Sequence, residues 1–499
     1  MKLVWTVFSI FLTISFVMTH RVASAEQAMQ AGQLVRIDTS VPEEPIEQSI
    51  ELFHFAQTNQ EFFFTYNGHN AHSLSQIFEI LLNDNRTYSN ARISLLVPKI
   101  YFPGVFNSDK ELSDIFYSNR DRIDLIFSPN VKIHQNFWMR DGHLFAKING
   151  EKAVLAFDYY SQEENVKIED STAYVVAKSK QLPLYKIVHP DDTSLYQNDG
   201  NALSSGGNFL LLPGNILLVG KILSDFPAGF WSKDIDNNNR SLNDFLHLLS
   251  IQSNAQDDFR YEILPLDVAP FHHIDELFSV IKTNGTAPCD YAILVSSPRK
   301  AIEIINKTIS LIAPSLLKNQ RRCTGYSYKL LAEISDNTLR SNLLQEMDNH
   351  FCVGHIPLEF FAKEPILSDI TAINYSKILN NNSEYAHTYQ DVINENLEKL
   401  LPVLRERTHC DHPLVIDLPV LFAMPFGSAI FPNAVNGIVL SATDNAVSTY
   451  IYPRSYFSPF DVYIVNILKK YGIDARGVYD LPYHVNKGEV HCASNSLPI

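Results

Sequence analysis

Gly488-Glu489-Val490-His491-Cys492 is the stretch on which the reading of this chain turns. It sets a cysteine among small and polar neighbours, a few residues before Ile499, where it closes no large core loop. The other cysteines are Cys289, Cys323, Cys352 and Cys410. In an oxidising compartment those four can pair, in an arrangement the sequence leaves open, and one thiol is left over. A leftover thiol is either incidental or a nucleophile. The residues upstream favour a nucleophile at Cys492.

The opposite end reads Met1-Lys2, an uncharged run from Leu3 to Thr19, and then Ala23-Ser24-Ala25. That order is a signal peptide over 1–25, too short and too rich in Thr and Ser for a membrane span. The mature chain is therefore expected to be secreted, extracellular or periplasmic, with no membrane attachment after cleavage. Residues 26–50 are polar and acidic and read as a lead-in, followed by one catalytic domain over 51–499. A hydrophobic content of 45% is enough for a substantial core, and a net charge of −15 argues against nucleic acid or anionic lipid as a partner. It is compatible with a cationic substrate. Nothing specifies an oligomeric state.

Short apolar or alternating runs recur along the chain: 62–66, 92–97, 124–127, 153–157, 208–212, 216–219, 292–295 and 437–440. Leu74, Ile77, Phe78 and Leu81 have helical spacing between the first two. Strands alternating with helices predict an α/β fold, and the repeat-sized unit suits a propeller-like array. From about 298 to 408 the pattern becomes a helix-rich insertion, with helical spacing over 301–317, 330–347 and 392–404. A last helix over 460–471 is expected to stop at Gly472.

Polar clusters stand beside three of the apolar runs: Phe137-Trp138-Met139-Arg140-Asp141-Gly142, Ser205-Gly206-Gly207-Asn208-Phe209 and His272-His273-Ile274-Asp275-Glu276. If the third is extended, His273 and Asp275 point to one side, because strand side chains alternate. Taken singly, each residue has a structural reading: Asp141 in a turn, His273 in a core, Asp275 capping a helix from Leu277, Trp138 packed, Asn208 and Asn436 tying loops. Taken together, a thiolate needs an electrophilic carbon and two carboxylates need a cation. A guanidinium meets both needs, since its fork accepts bidentate carboxylates and its carbon can be attacked by sulfur. A histidine then protonates the departing amine and activates water. Zinc chemistry is the competing use of His, Asp and Cys, but neither HExxH nor paired CxxC occurs.

Trp-Met-Arg-Asp, Gly-Gly-Asn, His-Ile-Asp-Glu and Gly-Glu-Val-His-Cys, in this order, resemble the protein-arginine deiminase family of the guanidino-modifying, pentein-fold superfamily. Ser297-Pro298-Arg299, 334–340, 415–419, 431–436 and Tyr483-His484 extend the resemblance. It implies a five-bladed, pseudo-symmetric α/β propeller. It also implies Cys492 as nucleophile, His273 as general acid/base, Asp141 and Asp275 as guanidinium clamp, and Trp138, Arg140, Asn208 and Asn436 as substrate-binding residues. The implied activity is hydrolysis of peptidyl-arginine to citrulline and ammonia through a thiouronium on Cys492, with an arginine-containing protein or peptide as partner. Calcium is the family's possible cofactor. However, Asp141 is flanked by Arg140, Gly142, His143 and Leu144, a set poor in the oxygen ligands calcium requires. No arginine lies between Asp141 and Pro190 to hold a substrate backbone. A free guanidine such as agmatine or arginine, an amidinotransferase reaction, and a non-catalytic arginine-binding role therefore remain the alternatives.

Overall fold

The structure is a computed structural model. It describes residues 33–36, 50–53, 60–83, 91–128, 138–156, 171–188, 206–221, 246, 249, 261–304, 307, 384–422 and 427–498, except 269–270, 272, 284, 428, 442–446, 456–457, 485 and 487. The expected signal peptide, the helix over 330–347, and Cys323 and Cys352 lie outside the described residues.

Two short strands, β1 (Gln33–Arg36) and β2 (Ile50–Leu52), come first. Strand β3 (Gln60–Thr65) leads through helix α1 (Ala71–Asn83) to its parallel neighbour β4 (Arg92–Pro98), and β5 (Ile123–Ser128) extends that sheet in parallel. In the next sheet β6 (His143–Ile148) pairs antiparallel with β7 (Glu151–Ala156). Helix α2 (Thr172–Lys180) then crosses to β8 (Leu184–Val188), parallel to β7.

The same unit returns three times. It recurs as β9 (Phe209–Leu212), β10 (Ile216–Lys221) and β11 (Glu262–Asp267). It recurs as β12 (Phe278–Lys282), β13 (Tyr291–Ser297) and β14 (Leu414–Pro419), with α3 (Glu384–Thr408) before β14. The third is β15 (Ile438–Leu440), β16 (Thr449–Pro453), α4 (Ser458–Lys470) and β17 (Asp474–Val478). Finally β18 (Ser494–Pro498) pairs antiparallel with β3, so the chain's last strand supplies the partner that the other units take from next door. Among the described residues these strands form five mixed sheets, each with one antiparallel and one parallel neighbour around a middle strand.

The inner strands, with a neighbour on each side, explain why the sequence reads as it does. Strand β13 is buried along its whole length and β4 at every position but the first. A strand covered on both faces shows a continuous apolar run, as in Ile293-Leu294-Val295 and Leu95-Leu96-Val97. Helix α1 buries Leu74, Ile77, Phe78 and Leu81, one helical face at 3.6-residue spacing.

Some expectations change. The lead-in is not all irregular, because β1 pairs with β8 at a sheet edge and β2 with β6 at the other edge. Of the helix expected over 301–317, residues 301–304 and 307 are described and helical, and the helix starts earlier, at 298. The helix at 392–404 is the centre of the longer α3. Helix α4 ends two residues before Gly472, whose φ of 68° turns the chain out of the helix. Cys289 and Cys410 form a disulfide, Cα–Cα 5.7 Å, that joins the turn before β13 to the segment after α3. No helix among the described residues is long and apolar enough to cross a membrane.

Candidate active site

Each sheet has a strand that begins its unit, and the turn entering that strand carries polar residues. These turns are Met139–Gly142 before β6, Gly206–Asn208 before β9, Ile274–Glu276 before β12, 433–436 before β15 and 488–493 before β18. They touch in a ring. Gly207 N–H bonds Asp141. A Cβ on Gly207 would lie 2.9 Å from His273 Nδ1, 3.0 Å from Asp141 Oδ1 and 3.3 Å from Asp275 Oδ1. Asn436 donates through Nδ2 to Asp275 O (3.3 Å), and its Oδ1 accepts from Cys492 N–H (3.2 Å). Arg140 N–H donates to Cys492 O (3.1 Å), which completes the ring. Only a residue without a side chain fits at 207, because three chemical groups point at the space its Cβ would fill.

His273, Asp275 and Cys492 place one donor atom each within 4.8 Å of one another. Cys492 Sγ is 3.8 Å from Asp275 Oδ2, and His273 Nδ1 is 3.7 Å from Asp141 Oδ1. All four residues are buried. Asp141 Oδ1 and Asp275 Oδ1 are also buried and make no hydrogen bond among the described residues. Buried acceptors of this kind call for a partner, and two of them side by side call for a cation.

The charges differ across the site. Burial pushes Asp141 up to about 6, against the pull of His273 and Arg140. Burial would raise Asp275 too, but the hydrogen bond from His491 and the positive charges nearby hold it below the usual carboxylate value. That bond, His491 Nδ1 to Asp275 Oδ2, is 2.7 Å. Burial and Arg140 press His491 down to about 4, so it is neutral at pH 7 and Nδ1 carries the proton the carboxylate accepts. Arg140 is brought down to about 10 by burial against the pull of Asp275, Cys492 and Asp141, and so stays charged. Burial first, then Asp275, Asp141 and Glu276, push the Cys492 thiol well above its ordinary value. The resting sulfur is therefore a thiol.

The residues singled out from the sequence meet here, with changes in detail. The His273–Asp275 segment is not extended; a single 3₁₀ turn over Ile274–Glu276 brings the two side chains together, and a strand, not a helix, follows Leu277. Trp138 packs on Tyr483, ring centroids 6.2 Å apart, and lies across Gly488 at the edge of the nucleophile turn. Arg140 Nε donates to His491 O (3.3 Å) in the nucleophile turn, and its charge is felt by Asp275, Cys492 and Asp141. Asn208 Nδ2 donates to Gly220 O (2.6 Å), a bond that anchors its turn to β10. Asn436 joins two turns through both ends of its amide. The Asn436 amide is thus engaged at both ends, whereas Asn208 uses its Nδ2 and keeps a buried Oδ1 without a hydrogen bond among the described residues. The sequence reading passed over His491 as a partner, although it adjoins Cys492, and over Asn433 and Glu489. For a metal, the donors of His273, Asp275 and Cys492 are mixed nitrogen, oxygen and sulfur, a set unlike the all-oxygen shell calcium requires.

Cys492, His273 and Asp275 thus lie together, with Asp141 beside His273. The family model for protein-arginine deiminase (PAD) matches residues 213–498, more than half of the chain, and the chain belongs to that family of guanidino-group deiminases. The match takes in His273, Asp275, Asn436 and Cys492; Trp138, Arg140, Asp141 and Asn208 precede it. No curated protein matches the chain in sequence. Among solved structures, an agmatine deiminase of C. jejuni is 12% identical with a TM-score of 0.45, covering 92% of this chain and 99% of its own. An agmatine deiminase of Enterococcus faecalis is 12% identical with a TM-score of 0.42, covering 90% and 96%. The N-terminal domain of a cyanobacterial arginine dihydrolase is 10% identical with a TM-score of 0.36, covering 88% and 97%.

Proposed function

We propose that this chain is a secreted protein-arginine deiminase that converts peptidyl-arginine to citrulline and ammonia, and that its five sheets are the blades of a propeller around the site. The observation that carries the chemistry is the pair of buried, unbonded oxygens, Asp141 Oδ1 and Asp275 Oδ1, facing one space beside His273 and Cys492. A substrate guanidinium fills that need and brings the charge that lets Cys492 ionise, its proton passing to His273. The sulfur attacks the guanidinium carbon, and the carbon–nitrogen bond to one terminal amine breaks as His273 protonates the leaving ammonia. The product of this step is a thiouronium on Cys492. Water that gives its proton to His273 attacks the same carbon, the carbon–sulfur bond breaks, and the ureido group leaves. Arg140 and the Glu489 backbone amide stabilise the sulfur's negative charge.

Export is supported by the leader-like 1–25 and by the Cys289–Cys410 disulfide, a pairing that persists in oxidising compartments. A small free guanidine is the second reading, because no arginine follows Asp141 before Pro190 to hold a peptide backbone. The deciding experiment measures citrulline from a terminally blocked arginine peptide, with free arginine and agmatine alongside, with and without calcium, and with Cys492→Ala as control. Turnover of the blocked peptide that the substitution abolishes is the expected result. Turnover of only the free compounds would transfer the activity to the second reading.

A further inference from the structure

The turn that carries Cys492 is held from a side the chemistry does not touch. Buried Glu489 accepts through Oε1 from Asn433 N–H at 3.0 Å and shares a 3.0 Å bond with His484 Nδ1. Its backbone amide faces the Cys492 sulfur, and its carbonyl accepts from Ala493 N–H at 3.0 Å. One residue on, Val490 N–H faces Asp480, whose carboxyl also meets that of Glu489. Asn433 donates through Nδ2 to Glu276 O at 2.8 Å, directly after Asp275. One carboxylate thus ties the nucleophile's turn to the Asp275 turn on one side and to the 480–484 segment on the other.

We propose that Glu489 is a positioning residue for Cys492: by accepting from Asn433 and His484 it holds the turn so that the Glu489 amide and Asp275 both face the sulfur. This rests on the nucleophile reading of Cys492. A misplacement of about 1 Å in such a site costs about 100-fold in rate, so the hold is worth testing by rate and not by stability alone. The groups facing the sulfur are Asp141, Asp275, Glu276, His273 and Arg140. Those facing the Glu489 carboxyl are Asp480, His484 and Glu276.

The test compares Glu489→Ala, Glu489→Gln and His484→Leu for kcat, KM and the pH dependence of iodoacetamide labelling, the Cys492 peptide being followed by mass spectrometry. Glu489→Ala is expected to lose about 100-fold in kcat with KM within about threefold, because Glu489 reaches the Asp275 turn through Asn433 and the Glu276 carbonyl and not through the Asp275 carboxylate itself. Its labelling profile should move to higher pH, since the amide no longer stabilises the thiolate. Loss of a negative charge alone would move the profile the other way. Glu489→Gln keeps the Oε1 acceptor and should recover to within about fivefold of the unaltered enzyme. His484→Leu removes one of the two donors and should show a smaller loss in the same direction, which keeps the test alive should Glu489→Ala not fold. Unchanged kcat and labelling in Glu489→Ala, a rise in KM with kcat intact, or a Glu489→Gln as impaired as Glu489→Ala would each overturn the proposal. No turnover by the unaltered protein would instead sink the enzymatic reading, while labelling would still report on the position of the thiol.

Discussion

The turns over Met139–Gly142 and Ile274–Glu276 do the same job with opposite electrostatics. Each buries one aspartate, with relative exposures of 2% for Asp141 and 1% for Asp275. Yet Asp141 is pushed up to about 6 and Asp275 is held below the ordinary carboxylate value. The difference lies in the partner. Asp275 receives the His491 proton at 2.7 Å, whereas the nearest ring nitrogen to Asp141 is His273 Nδ1 at 3.7 Å. Burial alone therefore does not set the charge of a buried carboxylate; the hydrogen bonds and charges that reach it decide, and Asp141 has a Gly207 amide and the repulsion of Asp275 where Asp275 has His491. On this view Asp275 is permanently ionised, and Asp141 is the adjustable member whose ionisation a guanidinium completes.

The largest expected effect comes from removing the fixed member. Asp275→Asn should lower kcat/KM by about 1,000-fold or more, since a buried cation loses its partner and the thiol and His491 lose theirs. Asp141→Asn should lose about 100-fold by the same measure. A reversal of that order would break the comparison.

Gly207→Ala comes next, at about 100-fold, because the added methyl would press on both carboxylates and His273 at once. Its stability should fall by no more than about 1–3 kcal/mol, the usual cost of overpacking, so a larger loss would recast Gly207 as a folding residue.

A subtler effect is in pH. Asp141 works as a carboxylate, which predominates above about pH 6, so kcat/KM should climb as pH rises through that value. Replacing His491 with Ala leaves burial as the dominant influence on Asp275. That carboxyl then stays protonated to higher pH, and the acid limb should shift upward; a limb that stays put would show that His491 does not set the Asp275 charge.

The smallest effect on activity is expected far from the ring. Cys289→Ser should reduce stability by about 2–4 kcal/mol, read from chemical denaturation, and leave kcat per folded molecule unchanged. Lost activity in the folded variant would mean that the disulfide reaches the site.

Much of this was legible before any coordinates. Inner strands such as β4 and β13 announce themselves as unbroken apolar runs because both faces are covered. The residues of the site stand out because a polar cluster beside a buried strand is hard to explain by packing. By contrast, β18 is short and polar, Ser494-Asn495-Ser496 at its start, and is a strand only because β3 offers it a partner. Strand β1 likewise exists through β8. The sequence does not distinguish the 3₁₀ turn at Ile274–Glu276 from an extended segment, because alternation and a tight turn can both bring residues i and i+2 together.

By itself the sequence determined which chemistry was available: a thiol, an imidazole, two carboxylates and the glycines that let them approach. These follow from residue type and local order, which the chain carries with it. Only the tertiary structure decided which partner each group would have. It joined His491 to Asp275, Asn436 to both turns and Glu489 to Asn433 across long stretches of chain. The physical reason is that protonation and aim depend on distances of about 3 Å between groups, and no local spacing in a sequence encodes a distance between strands that meet only when the fold closes.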